Sequence, residues 1–101
     1  MTGADLLREA ADRLERLAAR STPGDWRTTG LLATRPEVVA FRPDDGTEHV
    51  AEARAASAGW ITALSPAVAA PLAAWLRAEA EHADPATAAL ELARVLIART
   101  G

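Results

Sequence analysis

The chain has no cysteine, no lysine and no tyrosine, and only one phenylalanine. Without cysteine there is no disulfide framework and no thiolate chemistry. A reducing compartment suits such a chain, so a cytoplasmic location is expected. Without lysine, every one of the 11 basic residues is arginine. Arginine and alanine standing in for lysine and serine point to a GC-rich coding sequence, which says something of a genome and nothing of a function. Glycine is sparse and scattered, so no phosphate-cradling loop is present. No serine follows glycine in the pattern of a nucleophile elbow. Residues 1–7 lack the basic start of a secretory signal. No apolar run is expected to reach the roughly 18 residues that a membrane span needs. The formal net charge is −3, which gives no general attraction to phosphate backbones or anionic lipid.

What is there is an ordinary globular balance. Of 101 residues, 50% are apolar and 25% charged. That size predicts a single domain over residues 1–101, burying roughly two thirds of the surface its unfolded chain exposes. The apolar share is mostly Ala and Leu, with three Trp.

The first helix is expected over residues 4–20. Thr2 and Asp5 stand in capping-box spacing, and Leu7, Ala10, Leu14 and Leu17 recur at helical steps. Glu9 with Arg13, and Asp12 with Arg16, are i,i+4 pairs of favourable orientation. Ser21-Thr22-Pro23-Gly24 stops the helix, with Pro-Gly suited to a type II turn. Three extended pieces follow, over residues 26–32, 37–42 and 47–52. Val38-Val39-Ala40-Phe41 has the strongest strand propensity, and Pro36 sits where its missing N–H does least harm. Pro43-Asp44-Asp45-Gly46 is hairpin chemistry, with Gly46 expected to supply the positive φ. Ser57 is read as the cap of a short helix over residues 58–64. Ser65-Pro66 reads as cap plus first-turn proline of the next helix, over residues 66–82. Val68, Leu72, Trp75 and Leu76 mark its buried face, and Pro71 within it predicts a kink or a late start. Asp84-Pro85 repeats the cap signal before a last helix over residues 86–99. The fold class is therefore α+β: an N-terminal helix, a three-stranded antiparallel meander, then two to three C-terminal helices packed on one face.

The stretch Thr22-Pro23-Gly24-Asp25-Trp26, the Val-rich strands, and then Ala58-Gly59-Trp60-Ile61-Thr62-Ala63-Leu64-Ser65-Pro66-Ala67-Val68 make a recurring layout. It resembles small uncharacterised proteins of phages, prophages and high-GC bacteria, some grouped with an early-region protein of lambdoid phages. The resemblance covers residues 4–76. Asp25 stands where the second proline of that turn is usual, and Ser65 where Asn is common. The resemblance implies the layout and no activity, so no catalytic residue carries over.

Chemistry-bearing constellations are few. Trp26, Trp60 and Trp75 could stack bases or line a ligand pocket, but an Ala-rich core needs bulk, and they are expected to supply it. Asp44, Asp45, Glu48, His49 and Glu52 offer oxygens to a hard cation. Their spacing matches no EF-hand loop, and a hairpin tip is where solvated charge belongs. Glu79 and His82 make one Glu-x-x-His step, where a di-iron bundle uses two with two further Glu. Ser21, Ser57 and Ser65 all fall at expected helix ends, where capping accounts for them. Arg residues alternate with acids on the first helix, unlike a nucleic-acid reader.

No catalytic, cofactor-binding or metal residue is assigned, and no cofactor. The expected function is a non-enzymatic accessory module that binds a protein partner or itself, as a homodimer, with no membrane association. An acidic DNA mimic or nucleic-acid-associated inhibitor is the alternative, and a small-ligand enzyme the third. The self-association reading rests on the last helix, where Leu92 and Val95 point away from the stripe of Ala89, Leu90, Ala93, Leu96 and Ile97.

Overall fold

Helix α1 (Gly3–Ala19) starts where Thr2 and Asp5 stand three apart. The Asp5 N–H donates to Thr2 Oγ1 at 3.1 Å, and the Thr2 N–H donates to Asp5 Oδ2 at 3.2 Å. This reciprocal box satisfies two of the backbone donors that a helix start leaves open. The Thr2 backbone bond, and then the Thr2 hydroxyl, hold the Asp5 carboxyl below its ordinary range. Leu7, Ala10 and Ala11 are fully buried, the i, i+3, i+4 stripe of an amphipathic helix.

The computed structural model describes residues 1–30 and 36–100, in two compact units: Met1–Arg20 with Val68–Gly101, and Ser21–Ala67. The first unit joins α1 to two further helices, α3 (Ala69–Ala80) and α4 (Thr87–Arg99). Ion pairs set their directions. Arg77 reaches Asp12 at 2.8 Å and also Glu15, while Arg8 reaches Glu81 at 3.1 Å, so α3 runs antiparallel to α1. Arg13 Nη1 donates to the Ile97 carbonyl at 3.0 Å, and Gly3 lies against Leu90, so α4 runs parallel to it. The two carboxylates bonded to Arg77 raise its pKa above the usual guanidinium value. Glu9 and Arg13 pair at 3.1 Å as the spacing predicts, but Asp12 turns to Arg77 rather than to Arg16.

The core of this unit is Leu7, Ala10, Ala11, Ala73, Leu76, Ala80, Ala89 and Ala93. All but two of these are alanine, which lets helix axes approach closely. Leu6, Leu72, Leu90, Leu92, Leu96 and Ile97 pack around it, half-buried. Leu92 thus belongs to the core's margin and does not point away, whereas Val95 is 55% exposed.

Proline decides where α3 begins. Pro66–Val68 forms a 3₁₀ turn, and the α-helix starts only at Ala69. Pro71 then falls in the first turn, where its missing N–H breaks no helical bond. Of the kink and the late start, the chain takes the late start. Asp84 does not cap α4 as its sequence context suggests. The Ala86 N–H is met instead by Glu79 Oε1 at 2.9 Å, from the preceding helix.

In the second unit the Pro23-Gly24 turn leads into the sheet. Gly24 has φ 114°, and a Cβ there would lie 2.8 Å from the Phe41 carbonyl oxygen, so only glycine fits. Strands β1 (Asp25–Thr29), β2 (Glu37–Phe41) and β3 (Thr47–Glu52) form an antiparallel meander in the order β1-β2-β3. Residues 31 and 32 of the first expected strand lie outside the described residues. Trp26 pairs with Ala40 and Thr28 with Val38. Val38 opposes Ala51 and Val39 opposes His49, which leaves Val50 as the extra residue of a bulge. Val38 and Ala40 are fully buried and share one sheet face by the two-residue period.

The hairpin uses different chemistry from that expected. The Asp45 N–H donates to the Arg42 carbonyl at 3.1 Å, closing a turn with Pro43 next in line. Asp45, not Gly46, takes the left-handed conformation, with φ 64°, which Asp tolerates. At Gly46 a Cβ would come within 2.6 Å of the Arg42 side chain, an exposed group that can swing aside, so neither φ nor backbone crowding demands glycine there.

Helix α2 (Ala55–Ala63) lies against β1 and β2 and buries Ala58. It begins earlier than Ser57 suggests; Arg54 is the cap residue and makes no side-chain bond. The class is α+β: an N-terminal helix, a three-stranded antiparallel sheet, and helices after it.

Candidate functional site

Ala58 is the one fully buried residue of α2. At about 100° per residue, Trp60 stands roughly 200° around the helix, on the opposite side. Trp60 is 69% exposed and Leu64, at the helix end, 55% exposed. Ala55, Ala56, Gly59 and Ala63 are exposed with them. A Cβ built on Gly59 meets nothing within 4 Å, so nothing covers the backbone beside the indole. The Thr62 hydroxyl bonds the Ala58 and Gly59 carbonyls of its own helix, each at 3.1 Å. No charged side chain occurs anywhere in residues 55–76. Scattered exposed apolar residues are normal on a monomer; a contiguous patch around an exposed Trp is not.

This arrangement corrects the core assignment of the tryptophans. Trp26 alone is half-buried, and its Nε1 donates to the Thr22 carbonyl at 2.9 Å. Trp60 is on the surface, and Trp75 is 42% exposed on α3. The close alanine packing of α1, α3 and α4 fills the interior without indole bulk.

The remaining constellations resolve into ion pairs and caps. Arg42 lies 3.7 Å from Asp44 and 3.8 Å from Glu48. His49 Nδ1 lies 2.6 Å from Glu37 Oε2, across the β2–β3 pair. Among the described residues no group of three or more His, Asp or Glu side chains could hold a metal ion. Glu79 sits 3.7 Å from His82 and also accepts from Ala86. Ser65 is buried, and its Oγ accepts from the Ala67 N–H at 3.4 Å. Ser57 is inside α2, and Ser21 follows the C-cap residue Arg20.

An open groove of about 740 Å³ lies beside the hairpin, between Gly24, Asp25, Arg27, Phe41, Arg42 and Pro43. Arg27 stacks 5.0 Å over the Phe41 ring and pairs with Asp25 at 2.7 Å. Both guanidinium groups are already matched by carboxylates, and these walls offer no nucleophile beside a base.

One expectation about hydropathy is overturned. The helical stretch Ala55–Ala80 contains an 18-residue window of mean hydropathy 1.3, long and apolar enough by those measures to cross a membrane. Its length comes from α2, the 3₁₀ turn and α3 in succession, and the helical pattern is interrupted at Leu64-Ser65. The signal for the α2 face was present in the sequence as this absence of charge. No family model matches the chain, and neither a curated protein nor a solved structure is significantly similar to it.

Proposed function

We propose that this chain is a non-enzymatic accessory module that docks a protein through the exposed face of α2, and that a second copy of the chain is its first occupant. The observation that carries this reading is Trp60, exposed on an uncharged helix face. Burying an indole removes about 150–250 Å² from water, and tryptophan is the residue type most enriched at the energetic centres of interfaces. A face without charge meets its own copy with no like-charge repulsion and no desolvation of an ion. Twofold pairing is the commonest solution for such a self-complementary patch.

Light scattering across a micromolar-to-millimolar concentration series tests it. The weight-average mass of the wild type rises toward that of a dimer. Trp60→Ser and Leu64→Ser remain monomeric, with melting temperatures unchanged. A wild-type mass that stays monomeric throughout transfers the face to a different protein. Loss of folding in Trp60→Ser removes the docking reading altogether.

A further inference from the structure

Where α1 and α4 finish side by side, three arginines line one groove. A groove of about 320 Å³ is lined by Glu9, Arg13, Arg16, Arg20 and Thr100. The steps of three and four between Arg13, Arg16 and Arg20 put them on one face of α1. Arg13 is fixed: its Nε donates to Glu9 at 3.1 Å and its Nη1 to the Ile97 carbonyl at 3.0 Å. Arg16 and Arg20 have no carboxylate partner among the described residues. Arg8, Arg27, Arg42 and Arg77 each have one; Arg54, Arg94 and Arg99 have none either, but they do not line this groove.

Like charges at these spacings destabilise a helix unless something offsets them. Two things do so in part. Glu9 contributes one negative charge, and the carbonyl ends of α1 and α4 contribute about half a charge each. Neither gives Arg16 or Arg20 a carboxylate partner of its own. We infer that the groove formed by Arg13, Arg16 and Arg20 at the ends of α1 and α4 is a binding site for a compact oxyanion of the phosphoryl class. The planar fork of arginine donates paired bonds to such a group. Arg13 is preorganised by its two anchors, and the exposed Arg16 and Arg20 are free to close on the ligand. The groove shares no residue with the α2 face, so neither reading depends on the other.

Arginine side-chain Nε–H resonances, followed by NMR while inorganic phosphate replaces chloride at constant ionic strength, test the site. Saturable shifts are expected at Arg16 and Arg20 and not at Arg54 or Arg94, which lie outside the groove. Arg16→Gln/Arg20→Gln, checked for folding by circular dichroism, weakens binding by about tenfold or more, as expected for lost charge-assisted bonds. Glu9→Gln removes the competing carboxylate and tightens binding severalfold. Methyl phosphate binding as well as phosphate assigns the site to a phosphoryl group carried on a larger molecule; binding of phosphate alone assigns it to the free ion. Shifts that grow linearly and equally at all four arginines overturn the proposal. So does a double variant that binds phosphate as the wild type does, since the arginines would then only neutralise helix ends.

Discussion

Asp5 shows how a single side chain links local structure to pH. Its carboxylate accepts the Thr2 N–H while its own N–H is held by the Thr2 hydroxyl. The Thr2 N–H, and after it the Thr2 hydroxyl, favour the ionised carboxylate, so its folded pKa is lower than the ordinary 3.8. A carboxyl depressed on folding contributes stability that is fully present above its unfolded pKa. That contribution is lost as pH falls through the lower folded value. Asp5→Asn is therefore expected to melt below the wild type near neutral pH, and the two melting curves should converge in strong acid, below the folded pKa. Thermal melts of both proteins across that range check it, and a gap that stays constant into acid would rule out the charge as its cause. The turn residues carry the opposite lesson. Gly24 is required by its backbone angle and by the Phe41 carbonyl together. Gly46 meets only the movable ends of Arg42 and Asp44, and Asp45 has taken over the positive φ, so another residue should be tolerated there.

Among the helices, size and burial part company. Leu76 is fully buried in α3, and Trp60 is largely exposed on α2. Leu76→Ala should cost about 2–5 kcal/mol, the range for opening a cavity in a packed core. Trp60→Ala should fall within about 0.5 kcal/mol of wild type, as surface changes do. Urea unfolding of the two variants decides it, and the reverse order would mean that Trp60 is buried in solution. The elements legible in the sequence were those with a signal independent of bulk. The Thr2–Asp5 box marks the start of α1, the strand propensity of Val38-Val39-Ala40-Phe41 marks β2, and Pro-Asp-Asp-Gly marks the hairpin. What was not legible was which alanines are inside. Ala73 is buried and Ala74 exposed, with no difference in side chain to separate them. A core made of alanine looks from sequence like a core still missing its large residues, which the tryptophans are then expected to supply. The start of α2 was hidden for a related reason. Ala55-Ala56 ahead of Ser57 carries neither a cap nor a stripe, and helix propensity alone extended the helix upstream.

For the whole chain, the decisive feature is that apolar burial is unevenly shared. The contiguous core of Leu7, Leu76 and the six alanines around them lies entirely in the helical unit. Among the described residues, the sheet unit has Val38, Ala40 and Ala58 as its fully buried apolar residues, and its strands are short, five to six residues each. The ion pairs that join α1 to α3 are largely exposed, and pairs of that kind contribute little, so they do not decide the balance. Regions with few buried apolar contacts open at lower free energy than the rest of the structure. The sheet is therefore expected to open without unfolding the helices. Native-state hydrogen exchange measures this directly. Amides of β1, β2 and β3 should exchange faster than the central amides of α1 and α3. In Leu76→Ala the helical amides should lose protection by the full destabilisation, while those of the sheet hold their wild-type rates, because the sheet's opening does not pass through the helical core. A uniform loss of protection in both units would show instead that all 101 residues unfold as one cooperative body.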